Sequence, residues 1–148
     1  MKKLIVLITL LIASVGYSQI LEPVKWSTSV NKISDSEYEL LATASIEEGW
    51  HLYSQSVPAD GPIPTRFSFV SNGKYLKKGN TIEEKGHTID DPIFEMEIKY
   101  FDTKAVFKQR IKLKSNTPFK VNGTVEFMVC DDSRCLPPTE VDLEFIIE

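Results

Sequence analysis

Two cysteines, Cys130 and Cys135, lie within the segment Val129-Cys130-Asp131-Asp132-Ser133-Arg134-Cys135-Leu136-Pro137-Pro138, and the 148-residue chain has no others. Sulfurs this close can bridge each other across a tight turn. The ring would be small, so the bridge adds little stability: roughly 2 kcal/mol by loop entropy for about six residues, against nearly 5 for a hundred-residue ring. A pair that contributes so little to folding is a candidate for redox work. The other reading, a structural staple in an exported protein, stays open on these residues alone. Thiol–disulfide exchange needs a dithiol that can close a ring, thiolate character at one sulfur, and access for another protein's sulfur. Asp131 and Asp132 follow Cys130 and disfavour a nearby thiolate, whereas Arg134 precedes Cys135 and favours one. On charge, Cys135 is the attacked sulfur and Cys130 the resolving one. Asp131 and Asp132 could equally be solvating a turn, and Arg134 could be an ordinary surface cation. Leu136-Pro137-Pro138 stiffens the chain just beyond and withholds two backbone donors.

Other chemistries find fewer parts. The soft and imidazole ligands are Cys130, Cys135, His51 and His87, and the two histidines lie far upstream without paired spacing. A small copper site would want a histidine soon after the cysteine, and none follows His87. Met128 sits in a strand-like run and reads as core. No serine occupies a nucleophile-elbow context. No metal and no other cofactor is expected.

The chain opens with Met1-Lys2-Lys3, an apolar run from Leu4 to Val15, and Gly16-Tyr17-Ser18. That is a basic n-region, a short h-region and a small-residue cleavage site. The apolar run is too short to span a bilayer comfortably, and no cysteine follows it to carry a lipid. The expectation is a signal peptide over 1–18, cleavage after Ser18, and a single domain over 19–148 beginning at Gln19. Removing Lys2 and Lys3 lowers the basic count from 17 to 15 against 21 acids, so the formal charge moves from −4 to −6. A mildly acidic chain without a basic cluster argues against nucleic acid and anionic membranes as partners. Export across the inner membrane implies the periplasm, where disulfides form.

The rest reads as strands. Tyr38, Leu40, Ala42, Ala44 and Ile46 alternate at period two, as do Val125, Phe127 and Val129, and Val141, Leu143, Phe145 and Ile147. Further runs cover 25–33, 49–53, 66–70, 94–101 and 104–113, the last with Ala105, Phe107, Ile111 and Leu113 on one face. Three prolines exclude a regular element over 58–64. Asn72-Gly73 and Asn122-Gly123 suit tight hairpins, and Asp90-Asp91-Pro92 is another break. Eight or nine short strands with no helical stripe point to an all-β, immunoglobulin-like β-sandwich. Trp26, Phe67, Phe69, Phe107, Phe127, Leu143 and Phe145 are expected to pack its core, with Trp50 ambiguous.

The cysteine turn with its Leu-Pro-Pro, the upstream Gly49-Trp50-His51-Leu52-Tyr53-Ser54 and the strand Val125-Glu126-Phe127-Met128-Val129 are together similar to the N-terminal periplasmic domain of the thiol:disulfide interchange protein DsbD. The resemblance covers roughly 24–147. It implies an immunoglobulin-like sandwich that takes electrons from a thioredoxin-like partner, fed by a membrane electron transporter, and passes them to exported disulfide-containing client proteins. It implies a protein-disulfide reductase activity in which the second cysteine, here Cys135, forms the mixed disulfide. It also implies a cap loop, within about 83–101, whose aromatic ring shields the pair. Tyr100 or Phe101 is placed for that ring by position, with Phe94 the weaker candidate. His51 and Tyr53 would stand beside the pair. His51 takes a place where family members have tyrosine, either tuning proton movement at the thiol or as a plain surface substitution. The spacer between the cysteines is slightly shorter than in well-known members. The chain ends at Glu148 with neither a membrane section nor a thioredoxin-like domain, so separate proteins would supply both, or the role differs. A relay that needs open access to its sulfurs is most simply a monomer. The rival is a binding module with a structural bridge, presenting the 58–64 or 83–101 loop.

Overall fold

Alternating apolar side chains turn Glu37–Ile46 into a strand with Tyr38, Leu40, Ala42, Ala44 and Ile46 buried along one face. The same logic repeats along a computed structural model that describes residues 21–148. The expected leader over 1–18 and its cleavage point lie outside the described residues. Eleven strands follow in order: β1 (Val24–Lys32), β2 (Glu37–Ile46), β3 (His51–Tyr53), β4 (Arg66–Phe69), β5 (Tyr75–Glu83), β6 (His87–Asp91), β7 (Met96–Phe101), β8 (Lys104–Leu113), β9 (Phe119–Phe127), β10 (Val129–Cys130) and β11 (Thr139–Ile147). No helix occurs among the described residues.

The strands form an all-β, immunoglobulin-like sandwich. One sheet has the order β1-β2-β8-β5. The others are β11-β9-β4 and β10-β3-β7-β6, and every pairing is antiparallel. Strands β9 and β10 are separated only by Met128. The main core gathers Leu40, Ala44, Phe107 and Ile111 from the first sheet, Val121, Val125, Phe145 and Ile147 from the second, and Leu52, Phe101 and Val129 from the third. Phe107, Phe127, Leu143 and Phe145 are fully inside, while Trp26, Phe67 and Phe69 pack against the same core from its margin. Trp26 lies 5.7 Å from the Phe107 ring and 5.5 Å from the Phe127 ring, in the tilted and edge-on geometries aromatic quadrupoles prefer.

Three turn and strand expectations need correction. Asn122-Gly123 is not a hairpin: it lies in the middle of β9, where Gly123 stands opposite Leu143 of β11 and Phe69 of β4. A Cβ there would sit 2.4 Å from the Ser68 carbonyl oxygen. The glycine serves close strand approach rather than a turn. Asn72-Gly73 does turn the chain, with Gly73 at φ 76°, and Asn72 Oδ1 accepts from the Lys74 amide at 3.0 Å. It joins β4 to β5, which lie in different sheets, so it is a crossing rather than a hairpin. Most of the 83–101 segment is a β6–β7 hairpin, not a loop, and only 92–95 forms its tip.

Strand β5 escapes sequence reading because it is an outer strand with mostly exposed, polar side chains. Its register against β8 shifts between Lys78 and Ile82. Gln109 fills the irregularity from inside: its Nε2 donates to the carbonyls of Lys78 at 3.2 Å and Gly79 at 3.4 Å, and its Oε1 accepts from the Thr81 hydroxyl at 3.0 Å. This buried carboxamide leaves no donor or acceptor wasted at the bulge.

Candidate functional site

The cysteine pair sits at the edge of the β10-β3-β7-β6 sheet. Ladder pairs run Val129–Leu52–Phe101 across three strands, and all three side chains enter the main core. Alternation sends their neighbours to the opposite face. There, Cys130 stands across from His51, Tyr53 across from Tyr100, and Tyr100 across from His87. Tyr53, Ile98 and Cys130 form a second, smaller core, covered by the half-buried Val57, Phe94, Met96, Tyr100, Met128 and Cys135. The sulfurs therefore have an apolar bed separate from the one that holds the sandwich together.

Cys130 and Cys135 are bridged, with S–S 2.00 Å and Cα atoms 4.0 Å apart. Their burial is unequal: Cys130 is 1 % exposed, whereas Cys135 is only half-buried. The turn between them is built around one carboxylate. Asp131 Oδ1 accepts from the Ser133 amide at 2.9 Å, the Ser133 hydroxyl at 2.8 Å and the Arg134 amide at 2.9 Å. Its Oδ2 takes the Arg134 Nε at 3.1 Å. Backbone bonds from Asp131 to the Arg134 carbonyl and from Leu136 to the Val129 carbonyl, both 2.9 Å, close the ends. This is the Asx geometry that short acidic side chains offer a turn.

The donors converging on Asp131, the Ser133 backbone amide first, hold its carboxyl down to about 2. A carboxylate depressed in the folded state contributes order above its unfolded value, near 3.9, and loses it as pH falls through about 2. Amide exchange at Ser133 and Arg134 should stay protected in mild acid and quicken only as pH approaches about 2. In Asp131→Ala that protection should already be missing at neutral pH.

Arg134 is placed differently from the charge argument. Its guanidinium is paired with Asp131 and lies 5.7 Å from the centre of the Trp50 ring. The pairing sets opposite charges side by side in the turn, and the unequal burial of the two sulfurs is a second asymmetry beside it. Trp50 itself belongs to the main core. Asp132 is exposed. Its charge acts on Tyr100, whose hydroxyl is pushed up by burial first, then by Asp102 and Asp132.

The cap candidates separate by strand parity. Phe101 points into the main core, edge-on to Phe107 at 5.7 Å, and cannot shield a pair on the opposite face. Tyr100 and Phe94 both pack on the small core with Cys130. Tyr100 packs against His51 with ring centres 4.4 Å apart and planes tilted by 47°. Phe94 rides the 92–95 tip and meets Tyr53 edge-on at 6.0 Å.

Asp91, which sequence reading noticed only as part of a break, organises that tip. It is 5 % exposed; its Oδ1 accepts from the amides of Ile93 at 2.9 Å and Phe94 at 3.1 Å, and its Oδ2 accepts from the Tyr53 hydroxyl at 2.8 Å. Burial, then Asp91, drives the Tyr53 hydroxyl far above its ordinary range, so it stays a donor. The Asp-Pro dipeptide hinted at a turn; nothing local announced Tyr53 as its partner. Glu83 plays a similar part below, accepting from the Gln55 amide at 2.8 Å, from Lys99 Nζ at 2.8 Å and from the Ser54 hydroxyl. Burial alone would raise its carboxyl, and these donors bring it below its ordinary value.

His51 and His87 flank Tyr100, at 4.4 and 5.9 Å, and His87 Nε2 lies 3.7 Å from Asp102 Oδ1. Among the described residues no three His, Cys, Asp or Glu side chains gather as metal ligands would.

The architecture is shared with solved structures. The N-terminal periplasmic domain of ScsB from Proteus mirabilis superposes with TM-score 0.58 at 17% identity, over 84% of this chain and 48% of that one. The chain thus spans about half the length of the ScsB structure it matches. A structure of the complex between the DsbD N-terminal and PilB N-terminal domains of Neisseria meningitidis gives TM-score 0.54 at 11% identity, over 86% of this chain and 88% of that one. At such identities these likenesses establish the fold. No curated protein sequence matches the chain. A sequence profile described as "Thiol:disulfide interchange protein DsbD, N-terminal" matches residues 18–145, nearly the whole length. With its cysteine pair at bonding distance on that sandwich, the chain belongs to the DsbD N-terminal domain family.

Proposed function

We propose that this domain is an exported electron relay working by thiol–disulfide exchange at Cys130 and Cys135. The observation that carries it is the unequal exposure of the two sulfurs on a bed separate from the main core. An incoming thiolate of a thioredoxin-like partner attacks Cys135 Sγ, the accessible sulfur. The Cys130–Cys135 bond breaks and its electron pair leaves with Cys130. The partner's second thiol then resolves the mixed disulfide, leaving this domain as a dithiol and the partner oxidised. In the opposite sense, Cys135 attacks the disulfide of an exported client and Cys130 resolves it. A membrane electron transporter would keep the partner reduced, and a leader over 1–18 would deliver the domain to the periplasm as a monomer.

The same reading gives roles to the surroundings. Phe94 and Tyr100 are the rings that cover the pair, and docking must displace one of them. Asp91 and Tyr53 hold the Phe94 tip in place until then. Asp131 and Arg134 shape the turn that presents Cys135, and Asp132 adds charge at its rim.

The reduction potential tests this directly. A relay pair should equilibrate with glutathione or dithiothreitol buffers at a potential above about −300 mV, the upper limit typical of structural bridges. The reduced protein should melt close to the oxidised one, within the roughly 2 kcal/mol that so small a ring contributes. A potential well below that limit, with a large loss of stability on reduction, would make the bridge a staple and the domain a binding module.

A further inference from the structure

Cys130 is the sulfur released when the bridge opens, and it is 1 % exposed. A thiolate freed in an apolar bed lacks water to stabilise or protonate it, so the source of its proton governs how readily the bond opens. The ladder supplies one group in position. His51 stands directly across from Cys130, on the same face of adjacent antiparallel strands, where opposing Cβ atoms lie about 4.5–5.5 Å apart. Its side chain is half-buried, so it keeps contact with solvent. Tyr100 packs against the imidazole, tilted 47° with centroids 4.4 Å apart, and restricts its swing.

We infer that His51 gives a proton to Cys130 when the bridge is reduced and takes it back when the bridge reforms. The inference rests on the relay reading above. In the reductive direction the partner's thiolate forms a bond to Cys135 Sγ, and the old S–S bond delivers its electron pair to Cys130. His51, as imidazolium, transfers its proton to Cys130 Sγ and recovers one from solvent. In the oxidative direction neutral His51 accepts the Cys130 proton as that sulfur attacks the mixed disulfide. Other titratable or charged groups surround the imidazole. Tyr100 comes from β7, Asp102 from the turn just after it, and His87 from β6, close to Asp102. Asp131, Asp132 and Arg134 come from the cysteine turn, with Asp131 and Arg134 neutralising one another. Of the two histidines only His51 is in ladder register with a cysteine.

The test uses dithiothreitol and the oxidised full domain. The rate constant of bridge opening, divided by the concentration of attacking thiolate, is followed between about pH 5 and 8, where an imidazole changes charge. In the wild type this constant should decline as pH rises through the imidazole range. In His51→Gln the decline should vanish and the acid-side constant should fall by about tenfold, less than the 10²–10⁴ typical of positioned acids because a thiolate is already a good leaving group. His87→Gln should keep the wild-type profile. A wild-type profile in His51→Gln, or a flat one in His87→Gln instead, overturns the assignment. A second readout leaves His51 in place. In Cys135→Ser, the His51 imidazole resonance should move as Cys130 ionises, the mark of coupled titration; a stationary resonance overturns the assignment too. If dithiothreitol never opens the wild-type bridge, the relay reading falls and the His51 role with it. If the bridge opens but the profile ignores His51, only the His51 role falls.

Discussion

Cys130→Ser should convert the domain into a covalent trap, and Cys135→Ser should abolish exchange altogether. In the first variant the remaining sulfur is the half-buried Cys135, which an incoming disulfide can reach and which then has no internal thiol to release the adduct. With Cys135 first activated as a mixed disulfide with a small thiol, and with the second cysteine of a thioredoxin-like protein replaced by serine so that neither side can resolve the adduct, a stable mixed disulfide should accumulate and appear on non-reducing electrophoresis. In the second variant the remaining sulfur is Cys130, 1 % exposed beneath Tyr53 and its neighbours. Alkylation of that thiol should be slow in the folded protein and normal after denaturation. Both variants should fold, since the bridge closes only a five-residue separation and loop entropy assigns it roughly 2 kcal/mol. Adducts gathering on Cys130 rather than Cys135 would reverse the two roles.

The largest effect on folding is expected at Gly123. A Cβ there would meet the Ser68 carbonyl oxygen at 2.4 Å and Phe69 Cδ1 at 3.2 Å. The first of these is backbone, so the strand must move rather than a side chain swing away. Moving β4 away from β9 disturbs the ladder from Arg66–Glu126 to Phe69–Gly123 and the aromatic margin that Phe67 and Phe69 form around Trp26. Gly123→Ala should destabilise by about 3 kcal/mol, the upper part of the range for overpacking, and Gly123→Val by more. For a domain of this size that is a fall in melting temperature of roughly 10 °C. Gly73→Ala is the contrast. Its Cβ would meet open space, and only the left-handed backbone, φ 76°, opposes it, for about 1–2 kcal/mol. Equal losses at the two positions would mean that the β4–β9 approach is looser than this geometry requires.

Sequence periodicity revealed the strands that bury one face and expose the other. Tyr38 to Ile46 shows its core side residue by residue, and so does the carboxyl-terminal strand. Strand β5 carries no such signal, because Lys77 to Thr81 is a polar run and the flanking Leu76 and Ile82 are exposed rather than set in a buried alternation. The Asn-Gly dipeptides suggest hairpins because turn propensity is local, while the demand on Gly123 comes from Ser68 in another strand. At the site, the two sulfurs and the neighbouring His51 and Tyr53 were legible from motif alone. Alternation also says that Tyr100 and Phe101 face opposite ways; only the assembled sandwich tells which way the sulfurs look. The pairing of Arg134 with Asp131 is not legible in the sequence, because it depends on a turn whose shape no spacing rule supplies. The role of Asp91 is not legible locally because its partner, Tyr53, is 38 positions away in sequence.

The shifted register of β5, with Gln109 turned into it, has a consequence for life at high concentration. A straight outer strand would offer any extended polypeptide a matching row of free peptide groups, and thereby a route to self-templated fibres. Here that margin is broken midway, its Lys78 and Gly79 oxygens face inward to a carboxamide, and two lysines guard the half that remains regular. The break makes this flank a poorer template for another extended chain than a straight strand would be.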